Sequence, residues 1–297
     1  MLDYHLHLWP HEQADTWLSI DQIADYCAAA NAQGVAQIAL TEHLHRFRQV
    51  TDLLGRFWEL EDDPAPVRAR MGDYFDHHAR SDLEAYVELC VAAKAQGLPV
   101  VVGLEVDYYR GKMDLVAELL GQYPFDVLLG SVHWIGAWQL DWYDDPVMAA
   151  QWDAREVDRC WDDYTERLCE LAQTGVVDVL AHPDLVKVFG RVPDAPEEWW
   201  DRMAEAAGDS GVSVEVSSAG WFKPVGEAYP APGLLERFAA RGVTFTTASD
   251  AHRLDRVAAR SDDLRALLSG AGVRSLAAYD ARRRVEVPLD TPVAPPT

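Results

Sequence analysis

Seven short apolar stretches recur along this chain, separated by amphipathic segments that end in glycine. The apolar stretches are "LDYHLHL" (2–8), "AQIALTE" (36–42), "PVVVGLEV" (99–106), "DVLLGSV" (126–132), "VVDVLAH" (176–182), "VSVEVSS" (212–218) and "VTFTTAS" (243–249). Their length and β-branched content read as strands, and their near-continuous apolar character says that both faces are covered. Among the intervening segments are "SIDQIADYCAAANAQG", "DLEAYVELCVAAKAQG", "APGLLERFAARG" and "RSDDLRALLSGAG". Each closes on the Gly that a helix C-terminus favours. Alternation of this kind demands a parallel sheet, because parallel neighbours need a helical crossover rather than a tight turn. Seven units without a break in composition predict one distorted, closed α/β barrel, not two domains. The expected limits are a single domain over 1–285 and a Pro-rich tail over 286–297. Two segments interrupt the rhythm, one at about 47–80 and one from "GSVHWIGAWQLDW" to about 155. Long connections in a barrel commonly wall or cover a site.

The 297-residue chain carries a formal net charge of −23, so a polyanion would meet repulsion, and a nucleic-acid polymer is not an expected partner. Any phosphate-bearing ligand must then be held by local cations. The longest apolar runs are too short to cross a bilayer. No basic segment followed by an apolar run opens the sequence, so neither a leader nor a membrane association is expected. Cys27, Cys90, Cys160 and Cys169 show no CxxC spacing, which points to reduced thiols and a cytoplasmic protein.

Seven of the ten histidines fall at or just past the carboxyl end of an expected strand: His5, His7, His11, His43, His133, His182 and His252. That end is where α/β barrels build their sites. His5 and His7, two apart, share one face of the first strand. Glu105 and Asp250 close two further strands. Imidazole and carboxylate without thiolate suit Zn, Mn or Fe. Nine donors exceed the four or five that one ion takes, so two or three divalent ions sharing a carboxylate are expected. Paired ions are a known arrangement for displacement at phosphorus. His45 reads as a neighbour of this group, and His77 and His78 as surface residues of a helical stretch.

The stretches "DYHLH", "TEH", "GLEVDYY", "YPFDVLLGSVHW", "LAHPDL" and "SDAHR" resemble, in order, the motifs of the PHP (polymerase and histidinol phosphatase) superfamily. Together with "SSAGWFKP" and "YPAPGLLERFAARG", they look like its histidinol-phosphate phosphatases over about residues 2–270. The resemblance implies a distorted (β/α)7 barrel with a trinuclear metal centre. One ion would use His5, His7, Glu105 and Asp250. A second would share Glu105 and add His133 and His182, and a third would use His11, His43 and His252. Glu42 would play a supporting role. The implied reaction converts L-histidinol phosphate and water to L-histidinol and phosphate by attack of a hydroxide held between ions. Glu105, His133, Asp250 and His252 would be its catalytic residues.

Other residues are candidates to hold the substrate. Ser131, Lys187, Lys223 and Arg253 lie where phosphate contacts are expected. Trp134, Trp138 and Trp221 could give flat walls to an imidazole ring. Asp107 or Glu215 could pair the substrate's ammonium, and Asp3 could orient a ligand. Two rival readings are a phosphoesterase for another small ester such as a nucleotide, and a metal-stabilised scaffold without activity. The second expects eroded ligands, and none of the nine positions is eroded.

Overall fold

The computed structural model describes residues 1–11 and 18–289. In it β1 (Leu2–Asp3), β2 (Gln37–Leu40), β3 (Val100–Asp107), β4 (Val127–Ser131), β7 (Val179–Leu180), β8 (Ser213–Ser217) and β9 (Phe245–Ala248) form one parallel sheet, in that order. The two edges meet. Past Asp3 the chain turns from β2 toward the last strand: Tyr4 N donates to Thr247 O (2.9 Å), Asp250 N to His5 O (2.8 Å) and His7 N to Ala251 O (2.7 Å). These bonds nearly close a seven-stranded barrel wrapped by helices, as the alternation in the sequence requires. They also explain why β1 is only two residues long where 2–8 was expected to pair as a strand.

The crossover helices begin and end where their sequences say. Ser19 Oγ accepts from Gln22 N to start helix Ile20–Ala32. Asp82 accepts from Glu84 N and Ala85 N to start Leu83–Ala95. Gly97 follows the second at φ +89°, a conformation that costs a side chain and is free to glycine. One apolar face of each helix is buried on the sheet: Ile23, Tyr26, Cys27 and Ala30 in the first, Tyr86, Val87, Cys90 and Ala93 in the second.

The two long connections are structured. Residues 47–80 contain helices Arg48–Leu54 and Ala65–His78. His78, expected at the surface, is buried against Tyr74 at a ring separation of 4.4 Å. After β4 the chain forms a small hairpin of β5 (Trp134–Ile135) and β6 (Trp138–Gln139). A second antiparallel hairpin, β10 (Ser275–Asp280) with β11 (Arg283–Pro288), follows the barrel. The strand β11 thus runs three residues into the segment expected to be a tail, because its backbone pairs with β10; residues 290–297 lie outside the described residues. No helix among the described residues is long and apolar enough to cross a membrane.

Candidate metal centre

The carboxyl ends of the strands converge on Glu105, which is fully buried near the end of β3. Backbone pairing brings it there: Glu105 N donates to Glu42 O (3.0 Å), and Glu105 and His43 form an isolated parallel bridge. Five imidazoles surround its two oxygens. His43 Nδ1 lies 2.5 Å from Oε2, His5 Nε2 3.3 Å and His7 Nε2 3.6 Å. His182 Nε2 lies 3.1 Å from Oε1 and His133 Nε2 3.6 Å. Asp250 Oδ1 faces the same space, 3.5 Å from His7 Nε2 and 3.8 Å from His5 Nε2. His252 closes the group, with Nε2 3.4 Å from His43 Nε2. His182 (φ +26°) and Asp250 (φ +51°) sit in left-handed backbone that ordinary residues avoid. Such strain, about 1–3 kcal/mol a residue, persists where surrounding structure imposes it and gathers at functional sites.

A second layer of acids holds several rings in place. Glu215 Oε2 lies 2.8 Å from His5 Nδ1, and Asp107 Oδ1 lies 2.6 Å from His133 Nδ1. Glu42 accepts from Leu8 N (2.6 Å) and Trp9 N (3.1 Å), and its other oxygen lies 3.6 Å from His7 Nδ1. Burial opposes charge on His5, but Glu215, Glu105 and Asp250 lift its pKa well above the ordinary imidazole value. Burial takes His43 and His252 the other way, well below it. Burial also works against an ionised Glu105, yet His5, His43 and His133 hold it well below the carboxylate range.

The donor set fits divalent cations. His5 Nε2, both His7 nitrogens, His43 Nδ1 and Glu105 Oε2 are buried without a hydrogen-bond partner. Buried polar atoms seldom go unpaired, and here they crowd toward one another. Four triads have donor atoms all within 4.8 Å: His5/Glu105/His182, His5/His7/Asp250, His43/Glu105/His133 and His7/His43/His252. His7, His43 and His252 therefore stand together as one group. His11 joins none of the four; it is exposed and stacks on His252 with centroids 3.7 Å apart.

Residues 3–219 match the PHP domain family model. This chain belongs to the PHP domain family. A probable histidinol-phosphatase of Deinococcus radiodurans is 30% identical over 239 residues, covering 80% of this chain and 83% of the relative. Two solved structures share the fold. The histidinol phosphate phosphatase of Lactococcus lactis, complexed with zinc, L-histidinol and phosphate, superposes with a TM-score of 0.70 at 19% identity, covering 96% of this chain and 98% of that one. The putative histidinol phosphatase of Listeria monocytogenes gives 0.71 at 17%, covering 89% and 99%.

Around this PHP centre several residues stand elsewhere than the sequence led us to expect. Lys187 is buried, not poised for phosphate: Nζ donates to Asp184 Oδ2 (2.9 Å) and Ala228 O (2.8 Å) and contacts Glu227. Ser131 Oγ turns to Asp107 Oδ1 (3.4 Å) behind His133. Asp107 and Glu215, each with no exposed surface, are engaged by histidines and so cannot pair an ammonium. Asp3 orients no histidine; it accepts from Ser249 N (2.7 Å), Ser249 Oγ (2.7 Å) and Ala258 N (2.8 Å), tying β1 to the loop after β9. Arg253 is largely exposed and pairs with Asp255 at 3.2 Å. Lys223 stands close enough to His11 and His252 for its charge to oppose protonation of both rings. Trp134 stands edge-on to His133 and His45, while Trp138 packs on Trp152 and Trp221 lies under the Arg260 guanidinium.

Two features could not be read from spacing. His45 is buried and shared, with Nδ1 3.4 Å from Asp107 Oδ2 and Nε2 3.1 Å from Tyr74 Oη. Arg46 donates to Pro10 O (2.9 Å) and thereby fixes the segment that carries His11. The adjacency of His45 and Arg46 to "TEH" was visible; their partners, 36 residues upstream for Arg46 and 29 and 62 residues downstream for His45, were not.

Proposed function

We propose that this chain is a metal-dependent phosphomonoesterase whose substrate is L-histidinol phosphate, which it hydrolyses to L-histidinol and phosphate. One observation carries the reading: a buried carboxylate, Glu105, ringed by five imidazoles. The names of the relatives support the choice of substrate. His5, His7, Glu105 and Asp250 would hold one divalent ion, Glu105, His133 and His182 a second, and His43 and His252, with His7 or His11, a third. Zinc, manganese and iron all match these donors. Bound there, such ions supply a water ionised near neutral pH and positive charge to offset the phosphoryl oxygens.

The chain's own residues do the rest. Glu215 and Asp107 fix the tautomer and direction of His5 and His133, leaving the opposite nitrogen of each turned to Glu105. Lys223 binds a non-bridging phosphate oxygen from the His252 side. Among the described residues it makes no ion pair that would compete. Arg253 reaches the phosphate only by leaving Asp255. The free thiols of Cys27, Cys90, Cys160 and Cys169 suit a cytoplasmic setting.

Steady-state assays of zinc- or manganese-loaded protein on L-histidinol phosphate, a 3′,5′-bisphosphonucleotide and 4-nitrophenyl phosphate test this. Histidinol phosphate should show the highest kcat/KM, and His5→Ala should abolish turnover and reduce bound metal. A higher kcat/KM on the nucleotide would transfer the activity to that class, and full activity in His5→Ala would remove the metal mechanism.

A further inference from the structure

L-Histidinol phosphate carries an ammonium as well as a phosphate, and with Asp107 and Glu215 engaged the acid that meets it must be another. The other acids of the centre are occupied too: Glu42 by backbone amides, Asp184 by Lys187, and Glu105 and Asp250 by imidazoles. Asp141 is not. Its Oδ1 is buried without a hydrogen-bond partner, and among the described residues Asp141 makes no ion pair. Other acids of low exposure in the neighbouring connections do make one: Asp145 pairs with Arg70 (2.5 Å) and Asp63 with Arg155 (2.7 Å).

The position of Asp141 is fixed by its two neighbours, one of which is bonded to His133. It follows the β5–β6 hairpin, in which Leu140 N donates to His133 O (3.0 Å) and Trp152 Nε1 to Leu140 O (2.9 Å). On its other side Trp142 packs edge-on to Tyr74, centroids 5.1 Å apart, and lies beneath the Arg70 guanidinium. Burial raises the pKa of Tyr74, Tyr164 and Tyr229, and the Asp141 carboxylate adds to the rise in all three. These rings come from three separate segments, and Tyr74 also packs directly on the next residue along from Asp141, Trp142. Two further oxygens lack partners. Tyr229 Oη is unpaired although the residue is only 1% exposed, and its ring stands 6.3 Å from that of His182. Gln139 Oε1, two residues before Asp141, is unpaired as well.

We infer that Asp141, with Gln139 and Tyr229, forms the subsite that binds the cationic amino group of the substrate. The inference rests on the phosphatase reading and deepens it. A carboxylate, an amide oxygen and a hydroxyl together offer acceptors to a group that only donates, as an ammonium does. The subsite lies on the His133 and His182 flank, whereas Lys223 lies on the His11 and His252 flank. The two ends of a zwitterionic ester therefore meet opposite charges across the metal ligands. Specificity of this kind follows from desolvation: a substrate without the amine leaves a half-buried carboxylate unpaired.

The test compares L-histidinol phosphate with its des-amino analogue, 3-(imidazol-4-yl)propyl phosphate, in wild type, Asp141→Asn and Tyr229→Phe. Bound metal and circular dichroism serve as checks on the fold. Wild type should favour the aminated ester by at least tenfold in kcat/KM. Asp141→Asn should erase that preference while changing the des-amino ester by less than twofold, and Tyr229→Phe should reduce it in part. Equal losses on both esters, or no preference in wild type, would overturn the assignment. Calorimetry with L-histidinol and 3-(imidazol-4-yl)propanol separates the two claims. If no ester is hydrolysed but L-histidinol binds more tightly and Asp141→Asn removes the difference, the phosphatase reading fails and the subsite stands. Equal binding of the two alcohols overturns the subsite.

Discussion

Replacing Asp107 by Asn tests whether the acids behind the histidines act on the metal centre. The carboxylate serves three groups with two oxygens: His133 Nδ1 at 2.6 Å and Ser131 Oγ at 3.4 Å on Oδ1, and His45 Nδ1 at 3.4 Å on Oδ2. Asparagine keeps the shape but offers one acceptor oxygen, so its amide nitrogen must face one of the rings. The bond to His133 also loses its charge. A hydrogen bond to a charged group contributes about 1.5–3 kcal/mol against about 0.5–1.5 for a neutral one, a difference of roughly 1–1.5 kcal/mol. Freedom of the His133 ring adds to this, and removal of such orienting groups typically lowers metal affinity about 10–100-fold. We therefore expect zinc affinity to fall by about 1.4–2.7 kcal/mol. Competition against a chromophoric chelator measures it. Because Asp107 acts through His133 and touches no substrate, much of kcat should return at saturating zinc. Zinc affinity within twofold of wild type, or activity lost beyond rescue by zinc, would refute this reasoning.

Three other outcomes follow from the same contacts. Lys187→Met leaves Asp184 buried without its cation and should destabilise the fold by about 3–5 kcal/mol in urea unfolding, with KM unchanged in the folded enzyme. Burial pushes the His78 pKa down from 6.5 to about 3, so the stability contributed by the neutral ring is complete above about pH 6.5 and is lost as pH falls. His78→Leu should consequently gain on wild type between pH 6.5 and 4 in thermal melts; a constant offset would contradict it. Chelation should lower the melting temperature by several degrees and zinc should restore it, since ions that bind only the folded state add about 4 kcal/mol at a thousandfold excess over Kd.

Much of this architecture was legible because two periodicities and one placement rule agreed. Apolar runs marked the strands, Gly marked the helix ends, and seven histidines fell at the end of the strands where barrels build sites. The structure gathers His5, His7, His43, His133, His182 and His252 around Glu105 and Asp250. What escaped depended on partners distant in sequence. The hairpin β10–β11 turns through Ala281 (φ +47°) and Arg282 (φ +64°), where a two-residue turn is normally signalled by Asn-Gly. That turn is held instead by Asp126, which accepts from Ala281 N through its side chain and from Arg282 N through its carbonyl. Lys187 looked available for phosphate because nothing local reveals Glu227 or the Ala228 carbonyl, some 40 residues on. The acids Asp107 and Glu215 were visible as residues, but only the barrel's closure shows each one behind a histidine.

The central claim is that imidazoles and carboxylates from six segments form one cation-binding cluster at Glu105. Anomalous scattering at the zinc edge, from crystals of zinc-loaded protein, measures it directly. Two or three peaks should lie within coordination distance of Glu105, Asp250 and the histidines about them. Saturating zinc with no peak at Glu105, or with peaks only at surface residues, would contradict the account.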